Sequence, residues 1–194
     1  MERIRMIGSN RHSKWTAAVV FSALILLSGT SQAITQQEMD KITERSNEAV
    51  KKFEAKLPQG KEFLKSGKGY LVMPALYKGG FIGGAEYGKG VLRQPGRPDG
   101  FYNFAALSFG LQAGGEKTSM IMVFNSDEAL EKFRKNPGFE VGVDGSVTMI
   151  TVGEKGSFDS TKAGEPIVAF VFGQRGLMAG ATLKGAKFTK LEME

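Results

Sequence analysis

Lys78-Gly-Gly-Phe-Ile-Gly-Gly-Ala-Glu-Tyr-Gly-Lys-Gly90 is echoed almost a hundred residues later by Arg175-Gly-Leu-Met-Ala-Gly-Ala-Thr-Leu-Lys-Gly185. With one residue gapped at Gly88, Gly80 aligns with Gly176, Gly84 with Gly180, Ala85 with Ala181, Lys89 with Lys184 and Gly90 with Gly185. Glycine raises the entropy cost of ordering a helix or a strand. Two such stretches therefore point to backbone that must lie close to a neighbouring element or a ligand. As strands, the first sets Phe81, Ala85 and Tyr87 against Ile82, Gly84, Glu86 and Gly88, and the second sets Leu177, Ala179, Ala181 and Leu183 against Met178, Gly180, Thr182 and Lys184. Each strand has a bulky side and a nearly bare one.

The bare side admits two readings. In one, a helix or second sheet packs closely against it. In the other, backbone amides at Gly80, Gly84, Gly176 and Gly180 meet an anionic headgroup, helped by nearby cations. Lys78, Lys89, Arg93, Arg97, Arg175, Lys184, Lys187 and Lys190 are the candidate cations, and each also reads as a solvated strand end. Gly83-x-x-x-x-Gly88-Lys89 comes within one residue of a phosphate-binding loop, but Gly90 stands where Ser or Thr would hold magnesium. Such a loop also runs from strand into helix, whereas Val91-Leu-Arg93 continues as strand, so both residue and context argue against nucleotide hydrolysis.

Working outward, Thr35-Gln-Gln-Glu38 has the form of a capping box. Met39, Ile42, Ala49, Val50, Phe53 and Leu57 follow at helical spacing, with charges between them and Pro58 and Gly60 ending the helix. This amphipathic helix is expected to cover one face of a sheet or to lie on a membrane. Phe63 and Leu64 belong to a short helical turn closed by Ser66-Gly67. Strands are expected at Tyr70–Met73, stopped by Pro74, at Phe81–Arg93, Phe104–Ala113 and Met120–Phe124, with Gln94–Gly100 a loop. Ser126 caps a second helix with Ala129, Leu130 and Phe133 inward, ended by Asn136-Pro-Gly138. Further strands fall at Phe139–Val143, Ser146–Val152, Ile167–Phe172, Leu177–Leu183 and Ala186–Leu191. Without a steady βαβ alternation, this order gives an α+β fold: two helices on a mainly antiparallel sheet, curled like a barrel.

The first 33 residues read as an export signal, with an uncleaved anchor as the alternative. Arg3, Arg5, Arg11 and Lys14 form a basic start, and Trp15–Leu27 is an uncharged run of 13 residues, short of a bilayer span. Ser31 and Ala33 stand at the −3 and −1 positions of a peptidase site, leaving 34–194 as one domain. The expected location is periplasmic or secreted, and with no cysteine in the chain a lipoprotein anchor is excluded.

The leader holds the only histidine, His12, and the only tryptophan, Trp15. The remainder thus has no Cys, His or Trp, which excludes a Ser-His-Asp triad, a cysteine nucleophile and the usual zinc sets. Glu86, Asp144 and Glu165 are the carboxylates on or beside strands, but no spacing pairs them, and Asp144-Gly145 reads first as a hairpin turn. The leader carries four of 26 basic and one of 20 acidic residues, leaving 22 and 19, or +3. That modest charge, with no basic–aromatic interleave, argues against nucleic acid as a partner. No metal, cofactor or catalytic residue is expected.

Lys68-Gly-Tyr-Leu-Val-Met-Pro74, Lys78-Gly-Gly-Phe-Ile-Gly-Gly84, Gly88-Lys-Gly-Val91, Ser108-Phe-Gly-Leu-Gln-Ala-Gly114, Val141-Gly-Val-Asp-Gly145 and Arg175–Gly185 occur in an order that resembles the SYLF-type lipid-binding domain family. That family includes actin-patch proteins of yeast and many exported bacterial proteins. The likeness spans about residues 40 to 190. It implies a compact α+β domain that binds anionic phospholipid without catalysis; the reading of the glycine stretches makes Lys78, Lys89, Arg93, Arg175, Lys184 and Lys187 the expected contacts. Phe101-Tyr-Asn-Phe104 and Thr151-Val-Gly-Glu154 depart from the family's pattern, which bears on ligand preference more than on fold. An exported member is not expected to bind actin; an envelope protein is the alternative partner to a membrane surface.

Overall fold

The computed structural model describes residues 33–80, 83–94, 97–109, 116–153, 155–173 and 183–193. Ile167–Phe172 is buried at all six positions, which requires cover on both faces of the sheet that contains it. Eight strands make that sheet: β2 (Gly69–Gly80), β3 (Gly83–Gln94), β4 (Arg97–Phe109), β5 (Glu116–Phe124), β6 (Gly138–Glu140), β7 (Thr148–Thr151), β8 (Ile167–Phe172) and β9 (Lys187–Lys190). Their order is β6-β9-β4-β3-β2-β5-β8-β7. Every pairing is antiparallel except β7 with β8. The sheet curls into a half-barrel, giving the α+β class that the element order implies. A separate two-stranded ribbon pairs β1 (Ala33–Ile34) in parallel with β10 (Glu192–Met193).

Side chains of period two divide the core between the faces. The inner face collects Leu71, Met73, Leu92, Phe104, Met122, Phe124, Ala169 and Phe188. Helix α3 (Asp127–Lys135) fills this concavity with Leu130 and Phe133, and Ser126 Oγ caps it by accepting from Ala129 N at 3.2 Å. Val72, Ile121, Val123, Val168, Phe170 and Phe172 point outward instead, beneath helix α1 (Gln36–Lys56) and the short helix α2 (Gly60–Ser66). The Phe53 ring of α1 lies 5.3 Å from that of Phe170 and 5.4 Å from that of Phe172. The first half of α1 seats Met39 and Ile42 on Ile34, Val91 and Leu191.

Pro74 does not stop β2, which continues to Gly80. The proline sits in a bulge, where four residues of β2 (73–76) oppose three of β3 (88–90). A bulge is where a sheet tolerates proline, and here Ser119 Oγ donates to the Pro74 carbonyl at 3.0 Å. The bulge also explains two bare positions. A Cβ at Gly88 would stand 2.5 Å from Ala75 O, and one at Gly90 2.2 Å from Val72 O. At these two glycines the space is filled by the buckled backbone of β2, the neighbouring strand of the same sheet, and not by the helix or second sheet of the packing reading.

The expected loop Gln94–Gly100 is largely strand, with Gln94 paired to Arg97. The register shift after Leu92 leaves Asp99 out of the ladder, and its carboxylate meets Arg134 of α3 at 2.9 Å. Gly60 opens α2 rather than only closing α1. In the turn after β6 the positive φ belongs to Gly142 (92°), and Asp144 Oδ2 accepts from Glu140 N at 2.7 Å, so the turn is wider than an Asp-Gly hairpin. Most of the expected strand Leu177–Leu183 lies outside the described residues; Leu183 itself is buried but not in a strand.

Tyr102, 1% exposed, packs its ring 4.9 Å from Phe133. Burial, reinforced by Asp99 and opposed by Arg134, pushes its phenol up to about 12 from 10.0. Between these values the unfolded chain has lost a proton that the folded one keeps, so stability falls as pH rises. The loss should reach about 2 to 3 kcal/mol by pH 12. Denaturant melts from pH 9 to 12 check this, since Tyr102→Phe should remove that part of the decline.

Candidate functional site

The outer face of β3 and β4 is covered by α1 only part of the way. Val91 and Phe101 lie under the helix. One pair further on, Lys89 opposes Asn103, and Lys89 Nζ reaches Glu38 Oε1 in the first turn of α1 at 3.3 Å. Thr35 Oγ1 caps that turn by accepting from Glu38 N at 3.3 Å, while the Glu38 carboxylate engages the sheet. Beyond this contact the face opens.

Register assembles the open row from five strands. Lys117 of β5 pairs with Tyr77, Tyr77 with Tyr87, Tyr87 with Ala105, and Ala105 with Lys187. Glu140 of β6 follows Lys187 at the edge. Directly paired residues share a face, so two tyrosines stand between two lysines. In the next row Ala85 pairs with Leu107. Lys117 Nζ lies 5.9 Å from the Tyr77 ring centroid, within cation–π range, and Tyr87 donates its hydroxyl to Asn103 Oδ1 at 3.1 Å.

Where this row meets α1 there is a cleft of about 230 Å³. Lys41 and Arg45 of α1 and Lys89 of β3 supply three cations against the carboxylate of Glu38, and Tyr77 and Tyr87 form a wall. Lys41 and Arg45 are one helical turn apart and so share a face of α1.

The sequence candidates separate in space. Lys89 and Lys187 belong to this outer face. Lys78 alternates to the inner face, in register with Glu86 and Glu116. Arg93 donates through Nη2 to Thr43 O of α1 at 3.3 Å, a tie between helix and sheet. Lys184 lies along Gly142 in the turn before β9. Gly80 pairs with Gly84 at the end of the β2–β3 hairpin. Arg175, Gly176 and Gly180 are outside the described residues. Residue-by-residue reading missed Lys41, Arg45 and Lys117. The i, i+4 spacing of the first two was a usable signal; Lys117 needed the pairing of β5 with β2.

The three carboxylates are not brought into one strand pair: Glu86 is on β3, Asp144 is bound to the Glu140 amide, and Glu165 precedes β8. No group of three or more His, Cys, Asp or Glu suited to a metal occurs among the described residues.

The fold and this face define an α+β half-barrel that offers an open cationic and aromatic surface beside a helix-covered cleft. Residues 105–193 match the family model Ysc84, described as Las17-binding protein actin regulator, and over that stretch the chain is similar to this SYLF-type family. The match begins at Ala105, so Lys117 and Lys187 fall inside it and the α1 cleft precedes it. No curated protein matches the chain.

Proposed function

We propose that the chain is an exported, non-enzymatic module that binds anionic phospholipid headgroups at the α1 cleft. The observation that carries the reading is the convergence of Lys41, Arg45 and Lys89 on a cleft with a single carboxylate, Glu38, and two tyrosines. Ammonium and guanidinium groups from two elements can reach one phosphate from different sides, and Arg offers it a bidentate fork. The cleft is a headgroup site separate from the glycine amides at Gly80, Gly84, Gly176 and Gly180; at Gly88 and Gly90 β2 fills the space beside the strand. The match to this family over residues 105–193 is consistent with lipid binding.

Cosedimentation with vesicles tests the reading. Each cation close to an anionic bilayer is worth about 1 kcal/mol. The double variant Lys41→Gln/Arg45→Gln should therefore bind acidic vesicles about 30-fold more weakly. Both side chains are on exposed residues, so its melting should stay within about 0.5 kcal/mol of the parent. Binding should also weaken towards 1 M salt, where the screening length drops to about 3 Å. Equal binding to neutral and acidic vesicles, or binding to neither, would sink the proposal.

A protein partner in the envelope is the second reading, favoured by the family's description as Las17-binding. It predicts retention of a soluble envelope protein that Lys41→Gln/Arg45→Gln leaves unchanged. For an exported chain we expect no actin partner.

A further inference from the structure

Tyr77, Tyr87 and Leu107 remain 51%, 44% and 73% exposed on the same outer face. We propose that this shelf enters the interfacial layer of an anionic bilayer while the neighbouring cations hold headgroups. The inference rests on the headgroup reading of the α1 cleft and adds the orientation in which the domain meets the membrane.

Three observations support it. Register makes the shelf continuous: Tyr77 is paired with Tyr87, and Leu107 is paired with Ala85, two residues along β3 from Tyr87. Tyrosine has an apolar ring and a polar tip, which suits the boundary between headgroups and acyl chains. Its borders are cationic, with Lys117 over Tyr77, Lys187 at the other end of the row, and Lys89 on the α1 side. A shelf so bordered complements negative lipid, since the carboxylates next to it, Glu38 and Glu140, stand at its margins. The contact proposed is lateral docking through the sheet, since the exposed rings and their flanking cations all lie on its outer face.

The test uses the full chain. Trp15 is its single tryptophan, so Trp15→Phe with Leu107→Trp places one fluorophore on the shelf. Vesicles of phosphatidylglycerol and phosphatidylcholine are compared with phosphatidylcholine alone. The expected result is cosedimentation with the acidic vesicles, a blue shift of emission, and stronger quenching by lipid brominated near the headgroup than deep in the chain. Leu107→Asp should lower vesicle affinity about tenfold. Should Leu107→Trp fail to fold, Ala85→Trp on the paired strand gives the same readout, Ala85 being exposed. Cosedimentation with unshifted, unquenched emission would overturn the insertion while leaving headgroup binding intact. Absence of cosedimentation with either vesicle would overturn both.

Discussion

Gly90→Ala should abolish the cooperative melting transition or lower stability by about 3 kcal/mol or more. A methyl there would sit 2.2 Å from Val72 O and 2.5 Å from Met73 Sδ. Met73 Sδ is the end of a flexible side chain and can move. Val72 O belongs to a backbone held in ladders to both β3 and β5, and cannot move without breaking them. Gly90 has no positive φ, so the cost is one of space and not of backbone angle. Gly164 provides the contrast, with nothing within 4 Å of its Cβ position. Gly164→Ala should remain within about 0.5 kcal/mol of the parent. Denaturant melts of the pair read the difference, and a parental midpoint for Gly90→Ala would disprove the close approach of β2.

Phe133→Ala should cost about 4 kcal/mol. The ring stands 4.9 Å from Tyr102, 4.9 Å from Phe124, 5.1 Å from Phe139 and 5.7 Å from Phe188. It is thus the point where α3 joins β4, β5, β6 and β9 inside the half-barrel. Truncation leaves a hole lined by rings that are themselves pinned by strands, which limits collapse. Phe133→Leu keeps most of the volume and should cost about 1.5 kcal/mol or less. Chemical denaturation separates the two. A loss below about 1 kcal/mol for Phe133→Ala would mean that α3 does not hold the inner core together.

The order of elements was legible because it depends on local chemistry. Ile167–Phe172 is apolar throughout, and its limits fall where the structure places β8. Ser126 announces α3 through a bond to its own third neighbour, a contact visible in sequence spacing. Local rules failed where partners come from far along the chain. Pro74 reads as a strand stop, yet β3 and β5 together carry the chain through a bulge. The glycine stretch reads either as a packing face or as a presented surface, and only the pairing of distant segments reveals that Gly88 and Gly90 are bare because β2 lies against them. The cation list combined residues that pleating then divided, Lys78 inward and Lys89 outward. Conversely, Lys41 and Lys89 are distant in sequence and meet only because α1 docks across β3. The family likeness was visible in the ordered motifs, and the family match covers the second half of that span.

The β1–β10 ribbon bears on the leader removal that the sequence leads one to expect. Ala33 is laddered to Glu192 and Ile34 to Met193, and the Ile34 side chain is 1% exposed beneath α1. A peptidase must take its substrate as a free, extended strand. The bond between Ala33 and Ile34, where the sequence places leader removal, offers that shape only until the last residues of the chain arrive. Leader removal at this bond, if it occurs as the sequence leads one to expect, would have to precede closure of the ribbon, which holds the bond in a paired strand.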